Sequence, residues 1–382
     1  MWGRLKKKVQ NSNSISKCSV FSSKFAANYN KHLKVDCLIS GGGIAGITLA
    51  LECIQMGKTV CLIDSNVFNG ASKTAAGLIN PIVPKRVIPG WLAEDIYPAI
   101  LPYYRKLETL LDAEFYHAYP LVQIHKTAEE QRIWQRQSLK PELQMFLQVG
   151  KDALPIQIQV PYGYSQILHT GRLDTLKYLE AGRHYIQGHG AFLQEEFEYG
   201  QLSHSQGQWH YKEIESEVVV FCEGTGIQQN PYFSWIPVKG TAGDIVSVRF
   251  AGLPDNMIYK QKHWLVPDCK GSFYAGSNFI HEPALSQVTD DVQEILEHLK
   301  TWAGEVHLQD SKRAQRPVIS DRRPILGEHP THKGLFVFNG LGTKGCSLVT
   351  RFAPEMAMHI WHKAPVHKEV NSDRFLAFYA PQ

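Results

Sequence analysis

The chain has 382 residues, 43% of them hydrophobic and 20% charged, a globular composition long enough for two to three domains. That excludes a disordered, collagen-like or disulfide-scaffold chain, and the apolar stretch from Val35 to Ile54 carries Asp36, Glu52 and several glycines, which argues against a membrane span. The net charge of +4 is uneven: residues 1–34 hold eight Lys and Arg and no acid, leaving 32 basic against 36 acidic residues, so the body offers little attraction for a polyanion such as nucleic acid. Seven scattered cysteines without a CxxC spacing fit reduced thiols and a cytoplasmic setting.

In chain order, residues 1–33 read as a basic extension without hydrophobic period. Its composition resembles an organellar transit peptide, which would imply organelle import; the preferred reading is an upstream extension or a misassigned start in a bacterial protein. The pattern then predicts a strand at Val35–Ser40, a glycine turn at Gly41–Gly43, a helix at Ile44–Met56 and a second strand at Thr59–Ile63, together a βαβ unit. Helical patterns follow at Ile96–Leu111 and Ala128–Leu147, the latter crossed by Pro141. Strand patterns follow at Glu217–Cys222, Asp244–Phe250, Trp264–Val266 and Phe273–Ala275. A helix at Asp290–Trp302, a strand at Leu335–Phe338, a glycine loop and a helix at Ser347–Trp361 complete the chain.

Three segments carry chemistry. Gly41, Gly43 and Gly46 form G-x-G-x-x-G between strand and helix, and Asp64 ends the next strand 18 residues after Gly46. In such a turn the backbone approaches a pyrophosphate, the helix start at Ile44 and Ala45 offers amide donors, and the acid accepts from a ribose. Ser65 and Asn66 follow with no arginine nearby, which disfavours a 2′-phosphate and points to FAD or NAD. Small residues from Gly70 to Pro81, including Ser72, Ala76 and Gly77, would admit backbone amides close to a flat ring, and the run into Gly224 reads as a further buried strand arriving at the nucleotide. Gly342, Thr343, Lys344 and Gly345 precede the last helix, whose N-terminus and the Lys344 charge suit the negative edge of a reduced flavin.

From Val35 to Trp361 the chain resembles the FAD-dependent D-amino acid oxidase superfamily, which includes glycine and sarcosine oxidases, and within it the oxidase domain of the bifunctional bacterial enzyme that modifies the tRNA wobble uridine. Gly70, Ala71, Ser72, Gly77 and Pro81 match one family element, and Leu341, Gly342, Thr343, Lys344 and Gly345 match another. Arg316, Asp321, Pro324 and Gly327 match a third with one residue fewer between Arg and Asp.

The resemblance implies an α/β fold: a Rossmann-like FAD lobe (34–83, 168–235, 311–364) interleaved with an α+β substrate lobe on an antiparallel sheet (84–167, 236–310), then a tail at 365–382. Upstream of Lys34 no methyltransferase domain is seen, so the bifunctional architecture is expected to be absent. It implies an FAD-dependent oxidoreductase acting on a C–N bond of an amino acid or N-substituted glycine, with 2-hydroxy acid oxidation and tRNA-directed removal of a carboxymethyl group as alternatives. FAD is expected noncovalent, since no cysteine stands before Asp321 where sarcosine oxidases attach theirs. Arg316 matches the position that anchors a substrate carboxylate, the alternative being a structural ion pair with Asp321 or another acid. Tyr259, with His263 and Trp264, is a pocket-wall candidate, the alternative being core. Arg172 and Asp174 read as an ion pair or cap. His359 with His362, and His184 with His189, lack further ligands at spacing, so no metal is assigned. The partner class is a small amine or hydroxy acid; the electron acceptor is left open.

Overall fold

The structure is a computed structural model and describes residues 32–65, 70–278, 280 and 288–380. The basic extension up to residue 31, Asn66 and the last two residues lie outside them.

Apolar β-branched runs at Leu33–Ser40, Val60–Ile63, Ile214–Phe221 and Leu335–Asn339 are buried on both faces, as a sheet covered by helices requires. They form a parallel sheet in the order 191–193, 60–63, 33–40, 214–221, 335–339. The chain leaves Leu33–Ser40 to one side for Val60–Ile63, and Ile214–Phe221 lies on the other. The carboxyl end of that central strand is therefore a topological switch point, the place where open α/β sheets bind ligands. Helices Ile44–Gln55, Thr175–His189 and Gly345–His362 bury their apolar faces against this sheet.

A second sheet of eight mainly antiparallel strands runs 307–318, 239–249, 273–276, 264–267, 258–260, 121–124, 164–167, 147–149. One face carries the amphipathic helix Val288–Ala303, with Val246, Val248, Leu265, Phe273 and Ala275 packed against Ile295, Leu299 and Trp302. The other face looks toward the parallel sheet: Ile258 and Val266 belong to the same core as the helices Ile44–Gln55 and Gly345–His362.

Two expectations change. Strand His307–Val318 pairs along its length with Lys239–Arg249, so the expected lobe boundary at 311 falls inside a strand. The helical pattern over 128–147 divides into Ala128–Ser138 and Pro141–Gln144, because Pro141 lacks an amide and opens a new helix at its first turn. Among the described residues no helix is long and apolar enough to cross a membrane.

Candidate FAD cradle and substrate face

The glycine turn is sterically compelled. A β-carbon on Gly46 would overlap the carbonyl oxygen of Gly41, and one on Gly41, whose φ is +103°, would come within 2.5 Å of the Cys222 carbonyl oxygen. The turn thus closes against both its own helix and the neighbouring strand. At the helix start, Ile44 N donates to Ser72 Oγ over 3.0 Å, so Ser72 reaches the first turn from the small-residue segment. Gly77, at φ +75°, packs against the carbonyl of Leu173, which seats that segment on strand Gly171–Leu173. Ala76 is buried beside it.

Asp64 emerges from the second strand beneath Gly42, where a β-carbon would lie 2.7 Å from its own Cβ. Its Oδ2 is closed to solvent and makes no hydrogen bond of ordinary length, while Lys73 Nζ stands 3.8 Å away. A buried carboxylate oxygen in that condition is an acceptor waiting for donors such as ribose hydroxyls. Ser65 is exposed beside it. Counting only local arginines missed the cations here: Lys73 comes from the next segment, and Arg183, from helix Thr175–His189, acts on Lys73 by its charge.

The last helix joins the same cradle. Gly345 begins it, and a β-carbon there would stand 3.6 Å from Ile44 Cγ2, so the two glycine-led helices start side by side. Gly342, at φ +57°, lies near Pro317, and Gly224, at φ +59°, presents its carbonyl to Asn339 Nδ2 at 2.9 Å. Thr343 is exposed. Lys344 turns inward toward the Asn80 carbonyl (3.5 Å) and the Tyr97 ring, and burial pushes its ammonium down to about 8. Glu223, which the sequence did not single out, is half-buried behind the cradle and accepts from Ser40 Oγ (2.7 Å) and Asn230 Nδ2 (3.0 Å). The acid before the turn glycine Gly224 was the available signal.

On the substrate side the strand register decides. Arg316 lies opposite Thr241, Gly243 opposite Ala314 and Ile245 opposite Lys312, all on one face. The Arg316 guanidinium occupies the space that a side chain on Gly243 would fill. Burial lowers its affinity for the proton, and Asp244 opposes that from the far face of the sheet. Asp321 accepts from Arg374 Nε at 2.8 Å and from Arg323 N at 2.9 Å.

Tyr259 is not on this face. It pairs with Leu265 inside the core under helix Val288–Ala303, and its hydroxyl donates to Pro254 O at 2.9 Å. Its neighbours in the register, Ile258 and Lys260, look the other way, as does Trp264 opposite Gly276. Side chains alternate along a strand, so a reading off by one residue picks the wrong face. His263 stacks edge-on against His298 of that helix, on the same side as Tyr259. Arg172 and Asp174 form both suggested contacts: they approach to 3.4 Å, and Asp174 Oδ1 caps its helix at Lys177 N. Among the described residues no three His, Cys, Asp or Glu side chains gather to hold a metal ion.

Comparison with known proteins agrees with this architecture. The chain is 22% identical over 320 residues to the tRNA 5-methylaminomethyl-2-thiouridine biosynthesis bifunctional protein of Actinobacillus pleuropneumoniae, an alignment covering 77% of this chain and 47% of that protein. The chain thus spans about half the length of the curated relatives it matches. Iminodiacetate oxidase from Chelativorans sp. BNC1 superposes with a TM-score of 0.70 at 18% identity, covering 88% of this chain and 98% of that one. Glycine oxidase from Geobacillus kaustophilus gives 0.72 at 18% identity, covering 87% and 96%. The FAD dependent oxidoreductase family matches residues 36–357, and on that match this chain belongs to the family and is an FAD-dependent oxidoreductase.

Proposed function

We propose that the chain oxidises a C–N bond of an amino acid or N-substituted glycine, with FAD held noncovalently. The observation that carries this reading is Arg316: its guanidinium lies over Gly243 on the sheet face that looks toward the cradle, where a planar fork suits a substrate carboxylate. The fold likeness to iminodiacetate oxidase and glycine oxidase supports it.

When bound, FAD supplies the two-electron sink. The chain's part is to bind and orient. With FAD in place, amides at Gly43, Ile44 and Ala45 would hold the pyrophosphate, Asp64 would accept from the ribose, and the Gly342–Gly345 loop with Lys344 would offer positive potential to the reduced flavin. Ser72 would exchange its bond to Ile44 N for a cofactor oxygen. Arg316 fixes the carboxylate so that the reacting C–H bond has one orientation. Trp264 stands on the same sheet face as Arg316, beside the buried Ile258 and Val266. Segment 307–321 contains no cysteine, consistent with noncovalent FAD.

The test is a visible spectrum of the purified protein, acid release of the flavin, and anaerobic titration with glycine, sarcosine, iminodiacetate, proline and 2-hydroxyglutarate. Bleaching by an amine, with Arg316→Met raising the half-bleaching concentration on the order of 100-fold, supports the reading. Bleaching by the hydroxy acid alone would replace it with C–O oxidation.

The similarity to the tRNA biosynthesis protein favours a second reading, in which the N-substituted glycine is a carboxymethylamino group on a tRNA base. The acidic balance of residues 35–382 weighs against it. Bleaching by modified tRNA, and not by free amines, would select it.

A further inference from the structure

At the edge of the cradle the short hairpin of Ile82–Val83 and Ile88–Pro89 folds Gly90 back beside Asn80 and the Lys344 side chain. We propose that Trp91 and Glu369 are positioning residues for the Lys344 ammonium: they hold the Gly90 turn against it and so fix where that charge stands relative to the cofactor, which rests on the assignment of Lys344 to the flavin given above.

The turn leaves the ammonium little room. A β-carbon on Gly90 would lie 2.8 Å from Lys344 Nζ and 3.1 Å from the Pro81 carbonyl oxygen, so glycine alone brings the backbone this close. Gly90 N donates to Pro81 O at 2.7 Å, which closes the base of the hairpin. On the other side Lys344 Nζ reaches the Asn80 carbonyl at 3.5 Å, and that carbonyl also accepts from Tyr97 Oη at 2.8 Å. Burial alone lowers the proton affinity of Lys344, with no charged neighbour contributing among the described residues. Its setting therefore depends on how closely the turn covers it.

The turn does not hold itself. Val87 at φ +48° and Leu92 at φ +50° bracket it in the left-handed region, which β-branched and bulky residues occupy at a cost and keep where contacts from elsewhere enforce it. Trp91 supplies those contacts. Its ring stacks on Phe352 of helix Gly345–His362, with centroids 5.4 Å apart and planes within 10°, and the Arg323 guanidinium carbon lies 4.3 Å from its centroid. Trp91 Nε1 donates to Glu369 Oε1 at 3.3 Å, while Glu369 Oε2 accepts from Arg323 Nε at 2.9 Å. One carboxylate of the C-terminal segment thus joins the indole beside Gly90 to the guanidinium on its face. The helix under the indole is the one that Lys344 immediately precedes. Among the described residues neither Trp91 nor Glu369 hydrogen-bonds to Lys344, so their influence passes through the Gly90 backbone.

The test is an anaerobic, dye-coupled potential titration of the FAD-loaded full chain. Lys344→Met is expected to lower the reduced-to-oxidised flavin ratio at a fixed potential about 10-fold, which is about 30 mV for a two-electron couple. Glu369→Ala, checked by circular dichroism, should lower it severalfold, and Glu369→Gln, which can still accept from both donors, should restore most of the value. Trp91→Phe keeps a ring on Phe352 and loses the bond to Glu369, so it should fall between the unaltered chain and Glu369→Ala; it decides the matter if Glu369→Ala does not fold. In a Lys344→Met background, Glu369→Ala should change the ratio no further. No shift with Lys344→Met would remove the assignment of Lys344 to the flavin and the proposal with it. A full shift with Lys344→Met but none with Glu369→Ala or Trp91→Phe, or a Glu369→Ala shift that persists without Lys344, would overturn the positioning role alone.

Discussion

Gly46 faces the carbonyl oxygen of Gly41 with no space between them for a side chain. The contact ties the first turn of helix Ile44–Gln55 to the end of strand Leu33–Ser40 and so sets the shape of the whole cradle. Gly46→Ala is expected to force the turn apart, lowering stability by about 1–3 kcal/mol and abolishing retention of FAD through gel filtration. Gly188→Ala, in a helix with open space around it, is the control and is expected to stabilise by about 0.5–1 kcal/mol. Denaturant midpoints and flavin-to-protein absorbance ratios measure both.

Trp264 and Tyr259 lie on opposite faces of one sheet. Tyr259→Phe removes a single hydrogen bond to Pro254 and is expected to cost about 1 kcal/mol of stability with kcat/KM unchanged. Trp264→Ala should raise KM severalfold. Equal kinetic effects of the two changes would mean the register reading is wrong.

Lys344 links stability to pH with a definite sign. Its folded value, about 8, lies below the ordinary 10.5, so the unfolded chain holds more protons between those limits. The penalty of burying this charge is full below about pH 8 and is relieved as pH rises toward 10.5. Lys344→Met is therefore expected to stabilise the FAD-free protein at pH 7 by on the order of 2 kcal/mol, with the gain shrinking by pH 10. In the FAD-loaded protein the same change should make the flavin harder to reduce. Melting curves at the two pH values and a dye-coupled potential titration read the two effects.

Asp244 is fully buried and holds Arg313 through two contacts of 2.7 and 2.8 Å, with Asn278 Nδ2 on the same carboxylate. Arg313 reaches on to Asp291 of helix Val288–Ala303. Breaking a buried pair strands its partner, so Asp244→Ala is expected to lower stability by about 3–5 kcal/mol. A urea midpoint indistinguishable from that of the unaltered chain would contradict the assignment.

The pairing of near and far sequence signals explains what could be read in advance. Gly41, Gly43 and Gly46 with Asp64 form a local pattern, because the chain must turn, start a helix and return within one βαβ unit; the structure finds that unit in place. The strands around Val219, Val246, Leu265 and Phe336 were legible from continuous or alternating apolar runs. Arg316 stood out through its resemblance to a family element, and no local period announced it.

Other features depend on contacts between distant segments. Which of Tyr259 and Trp264 faces the cradle follows from a register fixed by pairing with Phe273–Gly276, and a one-residue shift inverts the answer. Lys73 beside Asp64, Glu223 beneath Ser40, and Tyr119 and Arg172 beside Cys269 join residues separated by up to 183 positions. The sequence by itself determined the periodic and glycine-punctuated elements, because backbone sterics and burial act over a few residues. Only the tertiary structure decided which side chains meet, because electrostatic and packing partners are chosen in space and leave no local period in the chain.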